Sequence, residues 1–424
     1  MNIPRYQFTL SRTLNKKEYK MKTKKLAIVG YGQRGNVYAN YALQNPNEFI
    51  VTAITDNDES RRALAKSKHD CPVFSDYKDF LRAEIDADIV AIATQDKDHR
   101  EHAIACMEHG YDLLLEKPIA TSLEDCEAIY AMAIKLGRKV IVCHVLRYTP
   151  FYSKVKEIVD AGLLGDIVTM NTTECVGYWH QAHSFVRGPW HNAEESSPMI
   201  LAKCSHDMDI IRYLIGKRCL RVSSFGSLTH FTKENAPEDS ADYCSDCKYT
   251  DCVYKSQTIY ERERPMRGYY TTNISDDGDW RDKLIHSPYD KCVYKCNNDV
   301  VDHQVCIFEF EDGVTVSHTM NAFSKEVYRD IKIHGTKAEL VGNMEALYLE
   351  LRPFGGEIVK YDFSDANTSG THGGGDVSMM HSLYLERNGK SAPGITYIDV
   401  SIDSHRMSFG AEKSRISGGM PIKI

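Results

Sequence analysis

Short unbroken apolar runs, set apart by helical stretches, fill the first third of the chain. KLAIVG (25–30), FIVTAITD (49–56), ADIVAIAT (87–94), YDLLLEKP (111–118) and KVIVCHV (139–145) each read as a strand buried on both faces. Helical spacing separates them, from about Arg34 to Leu43, over DHREHAIACMEHG and over SLEDCEAIYAMAIKLG. That order predicts a doubly wound α/β unit, a parallel sheet with helices on both sides. Beyond Asp166 the texture changes. IVTMNTTECV, HQVCIFEFEDG and VTVSHTMNAF alternate polar and apolar positions, which predicts a mostly antiparallel sheet. Two helices are expected near 376–387 and 397–415, and the boundary between the two textures falls near residue 146.

Composition narrows the class. At 424 residues the chain exceeds the usual size of one hydrophobic core, so two domains are expected. The formal charge of -7 gives no reason to expect nucleic acid or an anionic membrane surface as partner. No run approaches the roughly 18 apolar residues that span a bilayer. Residues 1–23 are basic but lack the apolar centre of a secretory signal, and they read as a flexible leader, with Met21 a candidate start. A cytoplasmic location is expected, with most of the 13 cysteines reduced. The stretch 232–300 is polar, loop-like and rich in tyrosine and cysteine, and reads as an insertion.

GYGQRG is the first candidate site. Gly30, Gly32 and Gly35 follow a strand and open a helix, with Tyr31, Gln33 and Arg34 between them and Asp56 at the end of the next strand. This is the context the G-x-G-x-x-G dinucleotide fingerprint requires. The glycines allow close approach to a pyrophosphate, which sits on the helix N-terminus. Asp56 can accept from both ribose hydroxyls and would repel a 2′-phosphate, favouring NAD over NADP.

Lys117, in EKP, stands at the end of a parallel strand, where ligands of open α/β sheets bind. Together with AIVGYGQRG, AIATQDKDHREHAIACMEHGYDLLLEKP, HVLRYTPFYSKVKEIVDAGLLGDI and SHDMDIIRYLIG, it makes the chain from about residue 24 onward resemble the Gfo/Idh/MocA oxidoreductases. The resemblance implies an N-terminal NAD-binding Rossmann domain over 24–146. It also implies a C-terminal α+β domain over 147–424, whose open, mostly antiparallel sheet often joins subunits into a homodimer or homotetramer. The implied activity is hydride transfer between NAD(P) and a hydroxyl of a sugar, sugar acid or polyol. Thr94, His99, Glu116 and Lys117 would lie by the cofactor, and Lys117 and His206 match catalytic positions. An alcohol oxidation needs a base for the hydroxyl proton and a cation for the developing alkoxide, which these two residue types supply.

Lys203, His206 and Asp209 are spaced three apart and on a helix would share one face. Many relatives carry an aspartate four residues before the histidine; here Ala202 stands there. The division of labour among Lys117, Lys203 and His206 is therefore open, and Asp209 is a candidate to orient the imidazole. The plainer alternative is a solvated Lys203–Asp209 pair. Trp179, His180, His183, Arg187 and Trp190 make a candidate carbohydrate pocket, with Arg187 a possible carboxylate clamp. Arg147 and Tyr148 at the junction are further substrate candidates, His372 a weaker one, and His144 reads as a satisfied structural histidine. Cys244, Cys247, Cys252 and Cys292 have spacings compatible with structural zinc, with Cys296 following; free thiols are the alternative. Two other functions compete: an NAD-dependent glycosidase that oxidises C3 transiently and eliminates the aglycone, and a non-catalytic dinucleotide sensor.

Overall fold

A computed structural model describes residues 21–269, 279–368 and 372–424; most of the expected leader, residues 1–20, lies outside them. Six strands form the first sheet: β1 (Lys24–Val29), β2 (Phe49–Thr55), β3 (Val73–Phe74), β4 (Ile89–Ile92), β5 (Leu113–Leu115) and β6 (Val140–Val142). Their order is β3-β2-β1-β4-β5-β6, and every pair is parallel. Alternate residues feed two separate cores. Leu26, Ile28, Ile54, Ile89 and Leu114 pack on one face, and Ala27, Val29, Val90, Ile92 and Leu115 on the other. Burial on both faces is why these strands read as continuous apolar runs. The two-residue β3 carries too little pattern to be seen in the sequence.

The second sheet holds nine strands. They are β7 (Ile167–Cys175), β8 (Cys219–Ser227), β9 (His303–Phe310), β10 (Thr315–Asn321), β11 (Tyr328–Gly335), β12 (Ala338–Asn343), β13 (Tyr348–Pro353), β14 (Val359–Lys360) and β15 (Ile422–Lys423). The order is β14-β13-β12-β11-β7-β10-β9-β8-β15, antiparallel throughout except for the β7–β10 pair. One face packs Met170, Phe308, Ile331 and Leu340 against helical Ile210, Ile211 and Leu214. The strands alternate accordingly, with Val305 and Ile307 of β9 pointing outward.

The late helices are found at Gly375–Arg387 and Ile398–Ile416. Both return to the first sheet: Met379 and Leu383 join one of its cores, Ile398 and Ile402 the other. The stretch 232–300, of which 270–278 lie outside the described residues, packs Tyr254, Tyr260, Trp280 and Val293 into a small core completed by Ala182, Val186, Phe231 and Ala322 from outside it. All 13 cysteines are free. Among the described residues no helix is long and apolar enough to cross a membrane.

Candidate active site

In the first sheet the chain runs from β1 outward to β3, then crosses back to β4, so a crevice opens at the carboxyl ends of β1 and β4. The loops after β1, β2, β4 and β5 border it. With the second domain opposite, they enclose a cleft of about 1420 Å³. Gly30, Gly32, Gln33, Arg34, Asp56, Thr94 and Glu116 all line it. Gly30 has φ +95, and a Cβ there would lie 2.5 Å from the Ala93 carbonyl oxygen. At Gly35 a Cβ would fall 1.9 Å from the Gly30 oxygen, so this glycine is required for the helix to meet the strand. Gly32 differs: a Cβ there would meet only Arg61 Nη1, at 3.7 Å. It leaves a cradle at the start of the helix Gln33–Gln44, which has no side-chain cap and no acid in its first turn. Uncapped N–H groups at a helix N-terminus, with no anion of the protein's own, suit a pyrophosphate. Asp56 accepts from the Tyr31 and Asp58 amides at 2.7 and 2.8 Å, which fixes its carboxylate at the cleft edge; Arg61 Nη1 is 3.8 Å away. These residues fit NAD.

Deeper in the cleft Lys117, Lys203 and His206 converge. Lys117 Nζ donates to the Ala202 carbonyl at 2.9 Å, which latches the first domain to the segment that carries His206. Burial lowers the Lys117 pKa from its ordinary value, with Lys203 and Arg34 adding to the effect against Asp96 and Glu116. His206 is buried, and its Nδ1 has no hydrogen-bond partner among the described residues. Burial first, then the charges of Lys117 and the neighbouring histidines, hold its pKa well below the usual range, so the ring is neutral at pH 7. Its edge meets His372, whose Nδ1 lies 2.9 Å from Asp376. Arg34 then joins Asp376 to Glu116, both at 2.5 Å.

Lys203 pairs with Glu174 of β7 at 3.1 Å, and Glu174 also pairs at 2.6 Å with Arg329, directly opposite it on β11. Burial pushes the Glu174 carboxyl up, but Arg329 and Lys203 together pull it below the ordinary value. Arg329 continues to Asp207 at 3.2 Å and Glu345 at 3.4 Å. A buried chain of alternating charge thus backs the cleft wall. No local pattern announces it, because its members come from two strands, a helix and loops.

A match to the oxidoreductase family, NAD-binding Rossmann fold, spans residues 24–144, and one to the same family's C-terminal alpha/beta domain spans 156–403. The chain belongs to the Gfo/Idh/MocA oxidoreductases. Among its relatives in this family, the YteT protein of Bacillus subtilis is 26% identical over 368 residues, covering 80% of this chain and 83% of that one. Inositol 2-dehydrogenase 1 of Saccharopolyspora erythraea is 30% identical over 203 residues; the match takes in 47% of this chain and only 57% of the relative. An inositol dehydrogenase homolog complexed with NAD+ from Azotobacter vinelandii shares the fold at TM-score 0.70 and 15% identity, over 95% of this chain and 98% of that one. The WlbA dehydrogenase from Bordetella pertussis, complexed with NADH and UDP-GlcNAcA, does so at TM-score 0.67 and 15% identity, over 95% and 99%.

Within this Gfo/Idh/MocA frame, several residues expected at the site are engaged elsewhere. The helix breaks between Met199–Ala202 and Ser205–Ile215, so Lys203, His206 and Asp209 do not form one continuous stripe. Asp209 does not orient His206. It is buried in a bidentate pair with Arg147 at 2.7 and 2.6 Å, and Arg147 in turn stacks on Tyr213. Tyr148 packs into the core beside Gly394, away from the cleft. The His99 ring is fully buried and bridges the Pro118 and Thr94 carbonyls, whereas His102 lines the cleft. Tyr31 turns inward to His69 at 3.0 Å. His183 is hydrogen-bonded to Tyr260 and stacked on Tyr289. Arg187 borders the cleft, but it donates to the Lys291 and Tyr254 carbonyls. His144, expected to be satisfied, is buried with neither ring nitrogen hydrogen-bonded among the described residues. Trp179, His180 and Trp190 do line the cleft, and Trp190 Nε1 donates across it to Asp96 at 3.2 Å.

Proposed function

We propose that the protein is an NAD-dependent dehydrogenase acting on a ring hydroxyl of a sugar, sugar acid or polyol. The observation that carries this reading is the convergence of the Gly32 cradle, Lys117 and His206 on one cleft. NAD, when bound, supplies the hydride acceptor or donor. Gly32 and the helix N-terminus would hold the pyrophosphate, and Asp56 would receive ribose hydroxyls and disfavour a 2′-phosphate. Lys117, its proton affinity reduced by burial, takes the substrate hydroxyl proton at Nζ. The neutral His206 ring accepts a hydrogen bond at one nitrogen and donates from the other, which orients the hydroxyl and passes the proton onward. Lys203, fixed by Glu174, keeps positive charge near the developing alkoxide. Trp179 and Trp190 offer flat faces for a sugar ring. Relatives named as inositol 2-dehydrogenases and as a 2,7-anhydro-N-acetylneuraminate hydratase lend weight to a polyhydroxylated substrate.

The test is a panel of inositols, free sugars, uronates and aryl glycosides, each followed by NADH absorbance and by leaving-group release, with NAD and NADP compared. Lys117→Ala is expected to cut turnover by about 10²–10⁴-fold and leave NADH binding, read by fluorescence, intact. Release of the aryl group without net NADH would replace the dehydrogenase with the redox-cycling glycosidase. NADH binding without turnover on any of these compounds would leave the sensor.

A further inference from the structure

Cys244, Cys247, Cys252 and Cys292 come from two loops of the 232–300 stretch, yet all four line one small cavity of about 20 Å³. That is room for a single atom-sized guest. The frame around it is made by backbone. Tyr243 and Lys291 pair in an antiparallel bridge, so Cys244 and Cys292 stand diagonally across it, one residue to either side. The Cys244 amide donates to the Asp290 carbonyl at 2.7 Å and the Cys292 amide to the Asp242 carbonyl at 2.8 Å. Cys244 and Cys247 close a turn, the amide of the second donating to the carbonyl of the first at 3.3 Å. The buried Asp290 carboxylate ties the loops together by accepting from Ser256 and Ser245 at 2.6 and 2.5 Å.

Charge is the second, independent observation. Arg187 reaches into the same cavity from the cleft wall. Its Nη2 lies 3.4 Å from Cys244 Sγ, while Nη1 is buried with no hydrogen-bond partner among the described residues. A buried guanidinium N–H left unpaired is costly unless an anion comes to it. Lys255 lines the cavity as well. Four thiolates around a divalent ion leave two negative charges, which these two cations match.

We propose that Cys244, Cys247, Cys252 and Cys292 form a tetrathiolate site for one zinc ion, fastening the inserted stretch to Arg187 on the wall of the cleft. Burial raises the pKa of Cys252 and Cys292, so without metal they are neutral thiols; binding releases their protons to solvent. Without metal, no three of the four sulfurs lie within 4.8 Å of one another. Zn–S bonds of about 2.3 Å require them to turn inward into the space they surround. Cys204, Asp207 and His318 do have ligating atoms that close, but Arg329 sits on Asp207 at 3.2 Å and repels a cation there. Cys296 does not line the cavity; its thiol donates to the Cys292 carbonyl at 3.3 Å.

The test is the metal content of the full chain, purified without chelator from zinc-supplemented medium. One zinc per chain is expected, lost in Cys247→Ser and Cys252→Ser and kept in Cys296→Ser and Cys71→Ser. Cobalt added to metal-stripped wild-type protein is expected to give sulfur-to-cobalt charge-transfer absorption at one equivalent, a readout that does not depend on a variant folding. Absence of both zinc and the cobalt band, iron with inorganic sulfide in its place, or retention of zinc by Cys247→Ser and Cys252→Ser would each overturn the proposal.

Discussion

Gly32 and Gly35 belong to the same fingerprint, yet a methyl group added to each has opposite consequences. At Gly35 the new Cβ meets backbone at 1.9 Å, whereas at Gly32 it meets only the tip of Arg61 at 3.7 Å. Gly35→Ala is expected to destabilise the chain by several kcal/mol, in the range of strained overpacking, about 1–3 or more. Gly32→Ala is expected to keep the melting temperature and weaken NADH binding, because the methyl fills the cradle. Calorimetry and an NADH titration on both variants separate the roles; a fall in melting temperature for Gly32→Ala would show that its cradle is structural. The cleft positions of Gly30, Asp56 and Lys117 were legible because each follows a strand end within two residues, and the strand aims it. The roles of His99 and Tyr31 were not, since a ring at the right place in sequence can turn either way.

At the scale of the element, the break at Lys203 and Cys204 decides the second half of the site. A continuous helix would have put Lys203, His206 and Asp209 on one face. The break instead frees Lys203 to reach Glu174 and leaves Asp209 facing Arg147, both under 5% exposed. Asp209→Ala should therefore act on stability and not on the chemistry directly. Leaving Arg147 buried and uncompensated is expected to cost about 3–5 kcal/mol in denaturant unfolding. An unchanged midpoint with lost turnover would return Asp209 to the catalytic group. No sequence window could have shown this pair, because its partners lie on different elements.

For the whole molecule, the buried histidines set a pH limit. Burial lowers the pKa values of His183 and His405 to about 3 and His318 to about 4, while that of His206 falls well below the ordinary 6.5. The folded chain thus refuses protons that the unfolded chain takes up below about 6.5. Stability is full above that value and falls as pH drops through it, by about 1.4 kcal/mol per unit for each such ring. Melting temperatures are expected to be level from pH 7 to 8 and to fall steeply from 6.5 to 5; a level profile to pH 5 would contradict the neutral rings. The outer face of the second sheet carries Phe225, Val305 and Ile307, at 63, 40 and 56% exposed and adjacent across β8 and β9. An apolar patch on a sheet face suits a second copy of the chain. Light scattering is expected to give a multiple of the chain mass, and Ile307→Lys to give the single chain.

The sequence by itself determined the two sheets, the dinucleotide turn and the positions of Lys117 and His206. Hydrophobic period and strand-to-turn adjacency are local properties, written over a few consecutive residues. Only the tertiary structure decided which charged groups meet: Glu174 with Lys203 and Arg329, Asp209 with Arg147, and Arg187 with the cysteine loops. Each of those buried ions needs a partner drawn from distant chain, and the choice among partners is made by packing.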